Sequence, residues 1–395
     1  MTLEAGHPIG RPSDTALPKE NEHAISCCRS LWRWLRELVQ CSSTQNVEDG
    51  LTKGDTLPKA LVTGITGQDG SYLADLLLSK GYEVMGLVRR TSVAQHSRTR
   101  LHWLGIYDRV NLVDGDVTDL PSLLSIMRDH RPDEVYNLAA QSFVHTSWKQ
   151  PLLTQAVDGV GCVNLLEATR REAPNARFYQ ASSSEMFGLT RYEVINEEVP
   201  FHPRSPYGIA KLYAHWMAIN YRDSFGLHVS CGILFNHESP LRGIEFVSRK
   251  ITNAAARIKL GLSDTLALGE IEVKRDWGHA KDFVKAMWLM LQQDAPDNYV
   301  IATNRATSVR DLCQVAFAHV GLRAEDYITI DPTLFRPAEI YSLRGDASKA
   351  RTRLGWTPCI EFEDMIREMV DEDMARLSGN RATFHSCPGQ RSHGC

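Results

Sequence analysis

Short apolar runs recur along the middle of the chain, at Ala60–Thr63, Glu83–Val88, Val110–Asp114, Glu134–Leu138, Ala176–Ala181 and Leu227–Leu234. Between several of them lie stretches with helical periodicity, at Tyr72–Leu78, Leu120–Asp129, Val160–Arg170 and Tyr207–Asp223. Apolar strands alternating with helices predict a doubly wound parallel sheet covered on both faces. After Phe235 the rhythm changes to mixed helix, loop and short strand as far as Ser378. The expected fold class is α/β, with a sheet domain over residues 58–235 and a smaller C-terminal α/β lobe over 236–378. That lobe is expected to bind substrate and to return some segments to the sheet domain.

The two ends read differently. Residues 1–57 are rich in Pro, Gly, Ser, Thr and Asn, and both they and 379–395 read as disordered extensions. One basic patch, Arg29–Leu38, would set Leu31, Leu35 and Leu38 on one helical face. Such a helix can settle on a membrane or dock a partner, yet in isolation it is marginal in water. With 395 residues the chain can bury a substantial core, and a net charge of −4 leaves no basic excess for a general nucleic-acid binder. Its nine cysteines form no C-x-x-C and no Cys/His pairing, which points to reduced thiols in the cytoplasm and to no metal site. No apolar run is long enough to span a bilayer, and no secretory signal is expected at the N-terminus.

The first strand leads into Gly64, Gly67 and Gly70, spaced G-x-x-G-x-x-G, and then into a helix. Glycine allows a sharp turn and lets backbone amides approach a pyrophosphate at a helix N-terminus. In this strand–turn–helix setting the pattern predicts a Rossmann-type dinucleotide site. The second strand ends in Arg89 and Arg90, where an NAD site usually places an acidic residue on the ribose 2′-OH. A guanidinium pairs with a 2′-phosphate, so the expected cofactor is NADP.

Further on, Ser205-Pro-Tyr-Gly-Ile-Ala-Lys places Tyr207 and Lys211 four residues apart on a helix that Ser205 caps and Pro206 begins. An ammonium beside a phenol favours phenolate, as a base acting on an alcohol requires. The strand ending in Ser183, Ser184 and Glu185 delivers hydroxyls and a carboxylate to the sheet's carboxyl edge. A hydroxyl there can bind the oxygen being oxidised, and the carboxylate implies a second proton transfer.

The segments TGITGQDGSYLADLL, VYNLAAQSFVHTSW, FYQASSSEMFG, RSPYGIAKLYAHW, GILFNHESPLRGIEFVSRKIT, KRDWGHAKDFVKAMWLMLQQ and FRPAEI together resemble the extended short-chain dehydrogenase/reductase family. Within it they are similar to the GDP-mannose 4,6-dehydratases, from about Lys59 to about Ala375. The resemblance implies NADP-dependent oxidation of GDP-mannose at C4, loss of water across C5 and C6, and hydride return to C6. Tyr207, assisted by Ser183 and Lys211, would remove the hydroxyl proton, and Glu185 would remove the C5 proton.

It also implies cofactor contacts at Gly64, Thr66, Gly67, Gln68, Asp69, Gly70, Arg89, Arg90, Asp116 and Val117. Leu138, Ala139, Ala140, Gln141, Ser142, Tyr207, Lys211, His237 and Arg242 would complete that set. Substrate would meet Ser142, Ser184, Glu185, Asn236, Lys250, Leu268, Gly269, Arg275, Arg336 and Glu339, with the arginines on diphosphate and Glu339 on guanine. The basic loop after Arg90 would help to build a homodimer or homotetramer.

Some positions depart from the family's habit: Ser183 stands for threonine, Leu153 for tyrosine, and Asn304-Arg305 and Tyr341–Arg344 are unfamiliar on the substrate side. Two other functions compete: an NADP-dependent epimerase or reductase of a related nucleotide sugar, and a non-catalytic NADP-binding scaffold. Glu185 disfavours the first, and the intact Ser183, Glu185, Tyr207 and Lys211 disfavour the second.

Overall fold

The computed structural model describes residues 57–90, 98–335 and 338–379. The basic patch Arg29–Leu38 and the tail from residue 380 lie outside them. Seven strands run parallel in one sheet: β1 (Lys59–Thr63), β2 (Glu83–Val88), β3 (Asn111–Asp114), β4 (Glu134–Asn137), β5 (Arg177–Ser183), β6 (Val229–Leu234) and β7 (Asn298–Ile301). Their order is β3-β2-β1-β4-β5-β6-β7. The chain winds outward from β1 in one direction and from β4 in the other. That reversal opens a crevice at the carboxyl ends of β1 and β4, where open α/β sheets bind ligands.

Eight main helices surround the sheet and extend beyond it: α1 (Gln68–Ser79), α2 (Leu120–His130), α3 (Gly161–Glu172), α4 (Pro206–Phe225), α5 (Val247–Lys259), α6 (Ala280–Leu291), α7 (Val309–His319) and α8 (Phe362–Leu377). The strand period of two sorts side chains to opposite faces. Ala60, Val62, Tyr136 and Tyr179 join one core with Leu73 and Leu77 of α1 and Phe283 and Met287 of α6. Leu61, Val135, Phe178 and Val229 join the other, with Met127 of α2, Leu165 of α3 and Ala214 of α4. Burying each such Leu or Phe contributes about 1.5–3 kcal/mol. A third core, built from α5, α7 and α8 around Trp277, holds the lobe beyond β6.

The six predicted strands match β1–β6 to within two residues at either end. The seventh, β7, lies in the region of mixed rhythm and pairs with β6, so residues 298–301 belong to the central sheet. The helix expected at Val160 begins earlier: a π-helical turn, Gln155–Val160, runs directly into α3.

Candidate active site

The cleft begins where β1 meets α1. Gly64 takes φ +68°, and a Cβ there would lie 2.8 Å from the Leu138 carbonyl carbon and 2.9 Å from the Ala139 nitrogen. At Gly70 a Cβ would strike the Gly64 oxygen at 2.3 Å. Close backbone approach therefore requires glycine at both positions, and the turn conformation requires it at Gly64 as well. Thr63 locks the two strand ends together. Its hydroxyl donates to Asn137 Oδ1 at 2.9 Å and accepts from the amides of Leu138 and Ala139, each at 3.0 Å. Gly67 stands at the N-cap of α1 and offers no side-chain cap, which leaves the helix's first amides facing the cleft end.

Asp69, in the first turn of α1, accepts from His237 Nε2 at 2.8 Å. His237 Nδ1 meets the Phe235 carbonyl at 2.8 Å, and the ring stacks on Phe283 with centroids 4.6 Å apart. Both partners are acceptors, so both ring nitrogens donate and the imidazole is a cation. Burial alone would lower the His237 pKa, but the Asp69 carboxylate outweighs it and the net direction is upward. Burial likewise pushes Asp69 up, yet His237 and Gln68 hold it to about 2. Gln68 donates to Asp69 and to the His237 carbonyl and accepts from Ser239 at 2.7 Å, so it braces this pair.

Ser183 ends β5, and a 3₁₀ turn, Ser184–Met186, carries Glu185 into the cleft. The Ser183 hydroxyl accepts from the Glu185 amide at 3.2 Å. Across from it, α4 presents Tyr207 and Lys211, both buried. The helix begins as expected: Ser205 Oγ accepts from the Gly208 amide at 3.0 Å, and Pro206 occupies the first turn. Lys211 Nζ donates to the Ala181 carbonyl at 3.0 Å and lies 5.8 Å from the Tyr207 ring centroid. The expected lowering of the tyrosine pKa is not the net result. Burial raises it, while Lys211 and the hydrogen bond from Ser183 work in the opposite direction.

One cleft of about 650 Å³ joins these groups. Its walls include Gly64, Thr66, Gly67, Gln68, Asp69, Gly70, Leu138, Ala140 and Ser142 from the glycine-turn side, and Ser183, Ser184, Glu185, Tyr207 and Lys211 from the chemistry-bearing side. Asn236, His237, Arg242, Lys250, Leu268, Gly269, Arg275 and Glu339 line the lobe side. Arg275 donates to Glu339 at 3.1 Å and to the Ile340 carbonyl at 2.6 Å, so the two residues read as separate ligand partners form an ion pair with each other.

Arg89 and Arg90 follow β2 and are exposed, while Asp116 and Val117 follow β3; none of the four is on the cleft wall. Ala139 and Gln141 lie in the backbone strip behind the wall, and Arg336 falls outside the described residues. Sequence reasoning missed Thr63, Arg100 and Asp158. Arg100 was part of the loop expected to reach outward. Its guanidinium instead donates to the carbonyls of Leu241 at 2.6 Å and Thr66 at 3.0 Å, bracing the glycine turn. Only the basic character of that loop could have flagged it.

Residues 61–369 match the family described as GDP-mannose 4,6 dehydratase. The chain belongs to the GDP-mannose 4,6-dehydratase family. It is 51% identical over 323 residues to GDP-mannose 4,6 dehydratase 1 of Arabidopsis thaliana, covering 80% of this chain and 89% of that one. It is 43% identical over 365 residues to the Homo sapiens GDP-mannose 4,6 dehydratase, covering 87% and 98%. Among solved structures, DesIV from Streptomyces venezuelae, a dTDP-glucose 4,6-dehydratase with NAD and TYD bound, superposes with a TM-score of 0.71. That match has 24% identity and covers 81% of this chain and 97% of that one, so it shows a shared fold. The family's name specifies a hydro-lyase.

Proposed function

We infer that this chain dehydrates GDP-mannose to GDP-4-dehydro-6-deoxy-D-mannose with NADP as its nicotinamide cofactor. The observation that carries the reading is the convergence of Ser183, Glu185, Tyr207 and Lys211 on the one cleft that begins at the glycine turn. Family membership supplies the sugar nucleotide. The turn fits a dinucleotide: at Gly64 the backbone approach leaves no room for a Cβ, and α1 starts there with no side-chain cap. Arg89 and Arg90 follow the adjacent strand, where a 2′-phosphate would favour guanidinium partners.

When bound, NADP would supply reversible hydride chemistry between C4 and C6 of the sugar, with no net redox change. Tyr207 receives the C4 hydroxyl proton, with Ser183 holding the same oxygen and Lys211 stabilising the phenolate. The C4 ketone acidifies the C5 proton. Glu185 takes that proton and passes it to the C6 hydroxyl, which leaves as water; once C6 has gained hydride, the proton held on Tyr207 goes to C5, which returns both side chains to their starting states. The Arg275–Glu339 pair and Lys250 on the lobe wall would hold the diphosphate and guanine ends of the substrate.

Association with a second copy of the chain accounts for one exposed apolar face. Ile209, Tyr213 and Trp216 follow helical spacing on α4 and are 54%, 41% and 55% exposed, and Leu152 on the adjoining turn is 84% exposed. We read this face as the contact of a homo-oligomer. The buried thiols of Cys162, Cys231 and Cys313 fit a reducing compartment such as the cytoplasm. Incubation with GDP-mannose and NADP followed by mass analysis tests the reaction. Loss of one water supports it, and an unchanged substrate mass overturns it.

A further inference from the structure

Three arginines hold the short segment between the strand Asn236–Glu238 and α5. The segment starts with a tight turn, in which the Arg242 amide donates to the Ser239 carbonyl at 3.0 Å. The next carbonyls meet guanidinium groups from three different elements. Arg249 of α5 donates through Nη1 to the Pro240 carbonyl at 2.7 Å and to the Arg242 carbonyl at 2.8 Å. Arg376 of α8 donates to the same Pro240 carbonyl at 2.8 Å, and its guanidinium lies 4.2 Å from the Trp103 ring centroid. Arg100, in the short helix Thr99–Trp103, ties the Leu241 carbonyl to that of Thr66 in the glycine turn. Arg249 turns its other edge to Asp373 of α8, with Nε at 3.2 Å and Nη2 at 2.5 Å from the carboxylate oxygens. Both side chains are buried, and Thr252 also donates to Asp373, at 2.8 Å. A guanidinium is tolerated in such a place only when it is paired and hydrogen-bonded, and Asp373 supplies the pair.

What the segment presents to the cleft is Arg242. Its side chain lines the wall, ion-pairs with Glu238 at 3.1 Å and lies 3.6 Å from the Phe246 ring centroid. We propose that Arg249 is a positioning residue for the cofactor: it fixes the 240–242 backbone so that Arg242 stands on the cleft wall near the glycine turn, with Asp373 as its buried counter-ion. This rests on the NADP reading above. Arg249 is not on the cleft wall, so it acts on a bound cofactor only through the segment it holds. The planar fork of arginine is needed for this task. One edge grips the carboxylate while Nη1 serves two carbonyls, and the single ammonium of a lysine cannot reach both sets of acceptors.

The test is a double-mutant cycle on NADP affinity, read by titrating the full chain with NADP. Arg249→Lys is made alone and in an Arg242→Ala background, and each protein is checked for cooperative thermal unfolding. With Arg242 present, Arg249→Lys should weaken NADP by about tenfold. With Arg242 replaced by alanine, the same change should alter NADP affinity by less than about twofold. Equal weakening in both backgrounds would make Arg249 a general support of the fold and overturn the proposal. Wild-type affinity in Arg249→Lys or in Arg242→Ala would overturn it too. Should Arg249→Lys fail to fold, Arg376→Met takes its place, since it keeps an apolar stem and loses the donor to Pro240. Weakening of about threefold is then expected only where Arg242 is present, and equal weakening in both backgrounds again overturns the proposal. The cycle needs no turnover, so a chain that binds NADP yet leaves GDP-mannose unconverted refutes the dehydration alone. A chain that binds no NADP overturns both.

Discussion

His237 sits between a carbonyl and a carboxylate, and only a doubly protonated ring satisfies both. Its raised pKa means that the pair contributes fully below the ordinary histidine value of about 6.5 and fades as pH rises through the raised one. Asp69, held to about 2, contributes fully above its ordinary value and loses that contribution only in strong acid. In Asp69→Asn, burial is left as the dominant influence on His237, so its titration followed by NMR should move below about 6.5. A titration unmoved from wild type would show that Asp69 does not hold the cation. At the chemical end of the cleft, Glu185→Gln should lower kcat by roughly 100- to 10,000-fold while retaining NADP affinity. Stopped at the C4 ketone, it should release little water, and unimpaired dehydration would remove Glu185 from the mechanism. Replacing both Arg89 and Arg90 with alanine should weaken NADP by about tenfold or more and leave NAD nearly unchanged. Equal weakening of both cofactors would mean that the pair does not read the 2′-phosphate.

The helix α4 shows how one element turns local sequence rules into site geometry. Ser205 and Pro206 set its start, and the four-residue spacing brings Tyr207 and Lys211 to one face. Ser205→Ala should cost about 1 kcal/mol of stability, read from chemical denaturation, because the Gly208 amide loses its cap. An unchanged denaturation midpoint would contradict the capping assignment. This element was legible because its signals are adjacent in sequence. The strand β7 was not: it is four residues long, and its partner β6 ends more than sixty residues earlier. The π turn before α3 was hidden for another reason. It is one turn within a continuous helical run, and its contacts with α4 are brought together only by the fold.

Across the whole molecule, the sheet order places the ends of β1, β4, β5 and β6 around one crevice, and the later chain closes the far wall. Trp356 ties that later chain to the sheet layer. It is fully buried, donates to the Asp282 carbonyl at 2.8 Å and meets Phe283 edge-on at 5.9 Å. Trp356→Ala should destabilise the fold by about 3–5 kcal/mol, seen as a lowered Tm, and a Tm within error of wild type would refute that role. The glycine turn, the Tyr–Lys pair and the hydroxyl–carboxylate cluster were readable from sequence because each is a short contiguous pattern. Thr63, Arg100 and Asp158 were not, since their partners are Leu138, Leu241 and Gln141, brought near only by the fold. The Arg275–Glu339 pairing was hidden likewise, although both residues were picked out singly.

The central claim is that hydrogen removed from C4 of the sugar is returned to C6 within one active site. GDP-mannose carrying deuterium at C4 should give a product whose deuterium lies on the C6 methyl carbon, detectable by NMR and mass analysis. A dehydrated product with no deuterium at C6 would contradict the account.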